Sequence, residues 1–345
     1  MSFGFVTVST ASLPAGPQSA HSVVYAALDL GTNNCRLLVA RPASGGFRVL
    51  DAFSRIVRLG EGLTRTGALS EAAMDRTVAA LAVCAQKIRA RRVDHVRAVA
   101  TEACRQAANC SLFLERVQTE TGLAIETIAA AEEARLVLAG CAPLLDPYAN
   151  HALLFDIGGG STELLWVRLE RREPEMLGYA SIPLGVVTLA DRYGGRDVSP
   201  ELYAVMRDET ALHLDAFDAE HGISEAMEDG GVQMLGSSGT VTTLAGVHLE
   251  LPRYNRALVD GIVLDCAAVA DASERLLALD YAGRAAHPCI GPERADLVLA
   301  GCAILSAILD RWPTSRLRVA DRGVREGILY GLMARNGRRF RQALP

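Results

Sequence analysis

Apolar and polar positions alternate in blocks along this chain, and two blocks repeat one another. In the first, the apolar run Val23–Leu28 meets a polar turn, Asp29-Leu-Gly31-Thr32-Asn33-Asn34, and a second apolar run, Cys35–Ala40, leaves it. In the second, Ala152–Phe155 leads into Asp156-Ile-Gly158-Gly159-Gly160-Ser161-Thr162-Glu163, and Leu164–Val167 follows. Both predict strand, tight turn, strand. The similarity continues downstream. The stretch 47–53 alternates as a third strand and runs on to Leu59-Gly60; Met176–Ile182 runs on to Leu184-Gly185. Asp29 to Gly60 is a step of 31 residues and Asp156 to Gly185 one of 29.

Each Leu-Gly is followed by a helix start. Ser70 precedes Glu71, with Met74, Val78, Leu81, Ala85 and Ile88 at helical spacing, and Ser199-Pro200-Glu201 supplies a cap, a first-turn proline and an acidic residue. A further strand–turn–helix pair follows: Val96–Ala100 into Thr101–Arg105, and Val232–Leu235 into Gly236–Thr243. Near the end, 292–309 reads as a long apolar helix, Leu317–Ala320 as a strand and Val324–Met333 as a helix. A short strand is expected over 124–128, ahead of a helix opening at Ala131. The pattern therefore predicts an α/β protein of two duplicated halves facing a cleft. Domain I is placed at 23–140, with the segment 321–345 packing back on it, and domain II at 141–320. Pro143 and Pro147 mark the connection between the halves. Residues 1–22, rich in Ser, Ala, Pro and Gly without a basic start, read as a flexible extension rather than a signal peptide.

Composition narrows the chemistry. A chain of 345 residues, half of them apolar, has material for two cores, and its net charge of −5 argues against a DNA-binding protein. Lys87 is the only lysine, which excludes a lysine-bearing P-loop. Eight scattered cysteines form no C-x-x-C pair and fit small core residues of a cytoplasmic protein in a reducing compartment. No apolar run is long enough to predict a membrane span.

The glycine turns carry the strongest chemical signal. Glycines let backbone N–H groups approach an anion, and carboxylates beside such a cradle point to a hard cation between them. Turn geometry alone is the plainer reading, but three successive glycines between strands weaken a sheet. Ser238, Gly239 and Thr240 offer a further phosphate loop at a helix N-terminus, with simple capping as the alternative. Glu132 and Glu133 both stand in the first turn of their helix, where a carboxylate can merely offset the helix dipole, and spacing does not separate them. Arg105 has the fork geometry that suits phosphate, but a surface arginine is its alternative. Arg36 could point to either face of its strand. His287, beside Pro288 in a loop near the cleft, reads as structural, with a site role as the alternative, and Asp321 and Arg325 read as anchors of the last helix, with cleft lining as theirs.

The two turns resemble those of the acetate/sugar kinase–Hsp70–actin superfamily, whose duplicated ribonuclease H-like domains flank a cleft. Thr101-Glu-Ala-Cys-Arg105-Gln-Ala-Ala-Asn109, Glu132-Glu133-Ala-Arg-Leu136 and Asp321-Arg-Gly-Val-Arg325-Glu-Gly327 are similar to motifs of the exopolyphosphatase/guanosine pentaphosphate phosphohydrolase (Ppx/GppA) family, in its short two-domain form. The resemblance spans about residues 24–335. It implies release of a terminal phosphate from inorganic polyphosphate or from pppGpp, with Mg²⁺, and K⁺ as a second candidate ion. It implies Glu133 as the base that activates water, and Arg105, Thr32, Asn33 and Gly158–Ser161 as phosphate contacts. Asp156 and Glu163 would be metal-site carboxylates, with Asp29 as a third candidate. A homodimer is compatible with the family. Two other readings remain: a sugar or acetate kinase, for which no acceptor-activating Asp stands out in the second half, and a nucleotide-dependent switch or filament protein. The sequence departs from the family at Ala129-Ala130-Ala131, where a Ser-Gly is usual, which removes a hydroxyl near the catalytic carboxylate.

Overall fold

The computed structural model describes residues 23–169 and 174–336; the expected N-terminal extension and the tail beyond 336 lie outside the described residues. The first half is a mixed five-stranded sheet. Its strands are β1 (Tyr25–Leu30), β2 (Asn34–Ala43), β3 (Gly46–Ile56), β4 (His95–Ala100) and β5 (Glu126–Thr127), in the order β3-β2-β1-β4-β5. The second half contains β6 (His151–Ile157), β7 (Thr162–Arg168), β8 (Glu175–Ile182), β9 (Val232–Ser238), β10 (Val263–Asp265) and β11 (Arg316–Ala320). Their order is β10-β11-β9-β6-β7-β8. In each half the first strand pairs antiparallel with the second and parallel with the fourth, so the repeat read from the apolar pattern is a repeat of topology.

Unbroken apolar runs in β1 and β6 arise because both faces of each sheet are covered. Alternate residues go to different cores. In β1, Ala26, Leu28 and Leu30 enter the core of the first half, while Tyr25 and Ala27 enter a core shared between the halves. In β6, Leu153, Phe155 and Ile157 enter the core of the second half, while Ala152 and Leu154 enter the shared one. That shared core also takes in Val137 and Leu138 of the helix Ala130–Cys141, and Ile328 and Leu329 of the helix Val324–Arg335. The two helices cross very closely. A Cβ on Gly140 would fall 2.1 Å from the Gly323 carbonyl oxygen, and one on Gly327 would fall 2.0 Å from the Leu136 carbonyl oxygen.

Three elements differ from the pattern reading. The strand expected over 124–128 pairs only at Glu126–Thr127 on the sheet edge. A short helix stands between each Leu-Gly and the capped helix behind it, Leu63–Thr66 in the first half and Val186–Tyr193 in the second. The helix expected over 292–309 begins only at Val298 and ends at Arg311. Gly291 has a left-handed φ of 74°, and the carbonyls of Glu293 and Ala295 accept from Arg58 and Arg284, so the backbone of 291–297 is bonded elsewhere. Among the described residues no helix is long and apolar enough to cross a membrane.

Candidate active site

Sheet register brings the first site residues together. Asp29 ends β1 and lies opposite Arg36 on β2; Asp156 ends β6, between Glu163 on β7 and Ser237 on β9. The strand ends converge on a cavity of about 130 Å³, walled by Asp29, Thr32, Asn33, Glu133, Asp156 and the 158–161 turn. Ser238, Gly239 and Thr240 line its other side. Of the sequence candidates, Arg105 and Glu163 are not in that wall: they stand behind it.

The glycines have a second reason to be glycines. The two turns touch across the cleft. A Cβ on Gly159 would lie 3.0 Å from the Asn33 backbone nitrogen, and one on Gly160 would lie 2.6 Å from Thr32 Oγ1. Each turn is braced from its own half. Gly31 N–H donates to Asn34 O at 2.9 Å and Gly158 N–H to Ser161 O at 2.9 Å, while Gly60 N–H donates to Thr32 O and Val187 N–H to Gly159 O. Ser238 makes the junction of β9 and the helix Gly239–His248 with φ 153°, a conformation few non-glycine residues adopt, and its Oγ accepts from Val241 N–H. Such stored strain is typical of functional sites.

Glu133 and Glu132 have different fates. Glu132 turns to Arg97, whose Nη1 donates to it at 3.0 Å. Glu133 is 7% exposed and lines the cavity. Its Oε2 accepts from Arg105 Nη1 at 2.7 Å. Arg105 also donates to Glu102 at 2.8 Å and to the Ile128 carbonyl at 3.1 Å, so its guanidinium is committed to holding Glu133. Oε1 of Glu133 has no protein donor among the described residues. Burial, reinforced by the charge of Glu163, pushes the Glu133 carboxyl up to about 8, with Arg105 pulling the other way. Burial and the Glu133 charge raise Asp156 to about 7, against Arg36. Asp29 is raised by burial, offset by Arg36 and Arg325. Glu163 is also raised to about 7 by burial, although its Oε1 accepts from Ser161 Oγ at 2.6 Å and Ser181 Oγ at 3.0 Å.

This donor set fits a hard cation. Several buried carboxyls face one space and raise each other's pKa, and a divalent ion would reverse that penalty. The buried Oδ1 of Asn33 has no hydrogen-bond partner among the described residues and is one more hard oxygen. No group of three His, Cys, Asp or Glu among the described residues forms a ready-made cage. Two carboxylates completed by phosphate oxygens and water is the usual arrangement for Mg²⁺.

Sequence reasoning saw the cationic side of the cleft only in part: it left Arg36 open, gave Arg325 cleft lining as an alternative, and did not single out Arg55, Arg256, Arg294 or Arg322. The first cavity shares Asp29, Arg36, Asp156 and Arg294 with a second of about 810 Å³, whose lining includes Arg36, Arg55, Arg256, Arg294, Arg322 and Arg325. Arg256 and Arg322 are paired with Glu326 and Asp260. Arg36, Arg55 and Arg294 have no ion pair among the described residues; Arg55 lies over the Phe53 ring. Pairing β1 with β2 was enough to aim Arg36 inward, but Arg294 comes from a loop with no local signal. Asp321 lines the second cavity and accepts from Tyr254 OH at 2.6 Å. His287 accepts from Cys289 N–H and lines neither cavity, as a structural histidine would.

Duplicated halves that close glycine turns on each other over buried carboxyls are the mark of the actin-like, two-domain class of phosphate-handling proteins. Within that class the chain belongs to the Ppx/GppA phosphatase family, whose model matches residues 38–336. Three solved structures are similar over nearly their whole length. An exopolyphosphatase-like protein is 26% identical with a TM-score of 0.84, covering 92% of this chain and 99% of that one. The Aquifex aeolicus Ppx/GppA family member is 27% identical, TM-score 0.73, over 91% and 98%. An exopolyphosphatase from Cytophaga hutchinsonii is 25% identical, TM-score 0.79, over 90% and 98%.

Proposed function

We propose that the protein is an exopolyphosphatase, which releases the terminal phosphate of inorganic polyphosphate by attack of water. The observation that carries this reading is the shared wall of the two cavities. A small chamber holding Glu133 between two phosphate-type turns shares Arg36 and Arg294 in its wall with a larger one, where Arg36, Arg55 and Arg294 have no ion pair among the described residues. A linear polyanion needs such a path, with one end at the chemistry and the rest of its charge met by guanidinium groups. Backbone N–H groups of the two turns and the N-terminus of the helix Gly239–His248 would take the terminal phosphate oxygens. Glu133 Oε1 would accept the proton of the attacking water, while Arg105 holds Oε2 and fixes the carboxylate's direction. A base whose pKa lies near working pH combines the right protonation state with useful proton affinity. Asp29, Asp156 and the Asn33 oxygen would hold Mg²⁺, which, when bound, neutralises charge on the phosphate oxygens. Glu163 supports this group from behind by fixing Ser161.

Guanosine pentaphosphate ends in the same phosphoanhydride and is the alternative substrate. Phosphate release should be compared on long-chain polyphosphate, pppGpp and ATP, with and without Mg²⁺. The proposal expects polyphosphate to give the highest kcat/KM and chelation to abolish turnover. A higher kcat/KM on pppGpp would move the assignment to the nucleotide, and transfer to an acceptor instead of water would make the protein a kinase.

A further inference from the structure

Away from the segments where the chain crosses between halves, side chains among the described residues bond across them at two places, and Arg58 makes the stronger tie. Arg58, just after β3, reaches a loop of the second half. Its Nη1 donates to Asp296 Oδ2 at 2.7 Å and its Nη2 to Asp296 Oδ1 at 2.8 Å, a bidentate pair, and Nη2 also donates to the Glu293 carbonyl at 3.0 Å. Nearby, Gly62 N–H donates to Asp191 Oδ2 at 2.8 Å, a second bond across the halves.

Both ends of the tie are anchored to the site. On the first half, Val57 and Arg58 N–H both donate to the Asn33 carbonyl, at 2.9 and 3.0 Å, and Arg58 sits at a left-handed φ of 48°. The tie therefore pulls on the backbone of the first phosphate turn. On the second half, the fully buried Arg284 donates to the carbonyls of Ala295 and Arg196, and the Gly195 backbone lies directly against the Asp296 carbonyl. The same loop carries Arg294, which lines both cavities. A bidentate arginine–carboxylate pair between two fixed backbones escapes most of the entropy cost that makes ordinary surface pairs weak.

We propose that Arg58 and Asp296 are positioning residues: their pair holds the cleft in the closed state, in which the two phosphate turns meet and Arg294 faces the substrate path. Substrate must enter when the pair opens, and re-forming it completes the site. This deepens the exopolyphosphatase reading and rests on it for the kinetic part of its test.

If the pair sets the closed population, its loss lowers the apparent affinity by the fraction still closed, while saturating substrate restores closure. Arg58→Ala and Asp296→Ala should therefore raise KM for polyphosphate about tenfold, for a closed fraction of one tenth, with kcat within about twofold of the parent. Arg58→Lys should give an intermediate KM, because lysine keeps the charge but not the fork. The exchanged pair Arg58→Asp with Asp296→Arg should recover part of the loss. Small-angle scattering should show a larger radius of gyration for the alanine variants, and calorimetry with inorganic tripolyphosphate should show weaker binding. Neither measurement needs turnover, so failure of the parent enzyme to release phosphate would defeat the substrate reading and leave the tie testable. Parent-like KM, radius and tripolyphosphate affinity in both alanine variants would overturn the proposal. So would a fall in kcat and melting temperature with KM unchanged, which marks a merely structural contact.

Discussion

At the residue scale the account turns on Glu133, which spacing alone does not separate from Glu132 and which the family resemblance favours. Tertiary partners support that preference: Arg97 engages Glu132, and Arg105 holds Glu133 at the cavity. The structure also changes the part expected of Arg105. A guanidinium shared among Glu133, Glu102 and a carbonyl is a brace for the Glu133 carboxylate more than a free phosphate ligand. Replacing Arg105 with Gln should remove the charge that pulls the Glu133 carboxyl down, so the rising limb of the kcat/KM–pH profile should move to higher pH. A lower rate with an unmoved limb would assign Arg105 to substrate binding alone. The raised carboxyls also predict a stability effect. Folding holds Glu133, Asp156 and Glu163 above their ordinary values, so the folded protein binds more protons than the unfolded chain between about pH 4 and about 8. Their contribution is complete below that window and is lost as pH rises through it. The metal-free protein should melt at falling temperature from pH 5 to pH 8, and Asp156→Asn should flatten that slope. A slope unchanged in the variant would show that Asp156 is ionised throughout.

At the element scale, the strands and turns were legible because the apolar runs were long and the two halves carry the same pattern. Helix starts at Glu71 and Pro200 were legible from Ser70 and Ser199, whose hydroxyls accept from Ala73 and Leu202 N–H. The stretch 291–297 was not legible, because it leads straight into the apolar run of the helix and its carbonyls are withdrawn by side chains outside it, Arg58 and Arg284. Arg294 was missed for the same reason. The close crossing of the helices Ala130–Cys141 and Val324–Arg335 yields a prediction. Gly327→Ala puts a methyl group against the Leu136 carbonyl, which backbone cannot avoid without separating the helices. It should destabilise the fold by about 1–3 kcal/mol, the usual cost of overpacking, and lower kcat because Glu133 rides on the displaced helix. Denaturant unfolding together with steady-state kinetics checks both effects.

At the scale of the whole molecule, the net charge of −5 hides a cleft whose small chamber is walled by Asp29, Glu133 and Asp156 and whose larger part brings six arginines together with Glu293, Asp321 and Glu326. Composition argued against a general nucleic-acid binder and left room for an anionic substrate in a local basic cleft, yet it could not reveal where those charges gather. That placement predicts that Arg36→Gln and Arg294→Gln weaken long-chain polyphosphate more than tripolyphosphate, and that added salt narrows the difference by screening. Equal losses on both chain lengths would place those arginines at the terminal phosphate only. The central claim remains that a water activated by Glu133 attacks the terminal phosphate held between the two turns. Glu133→Gln keeps the shape and the hydrogen-bonding reach of the side chain but cannot accept the proton. Single-turnover phosphate release from polyphosphate should fall about 10²–10⁴-fold in this variant, while polyphosphate binding stays within a few-fold of the parent. Release at the parental rate with binding intact would contradict the account.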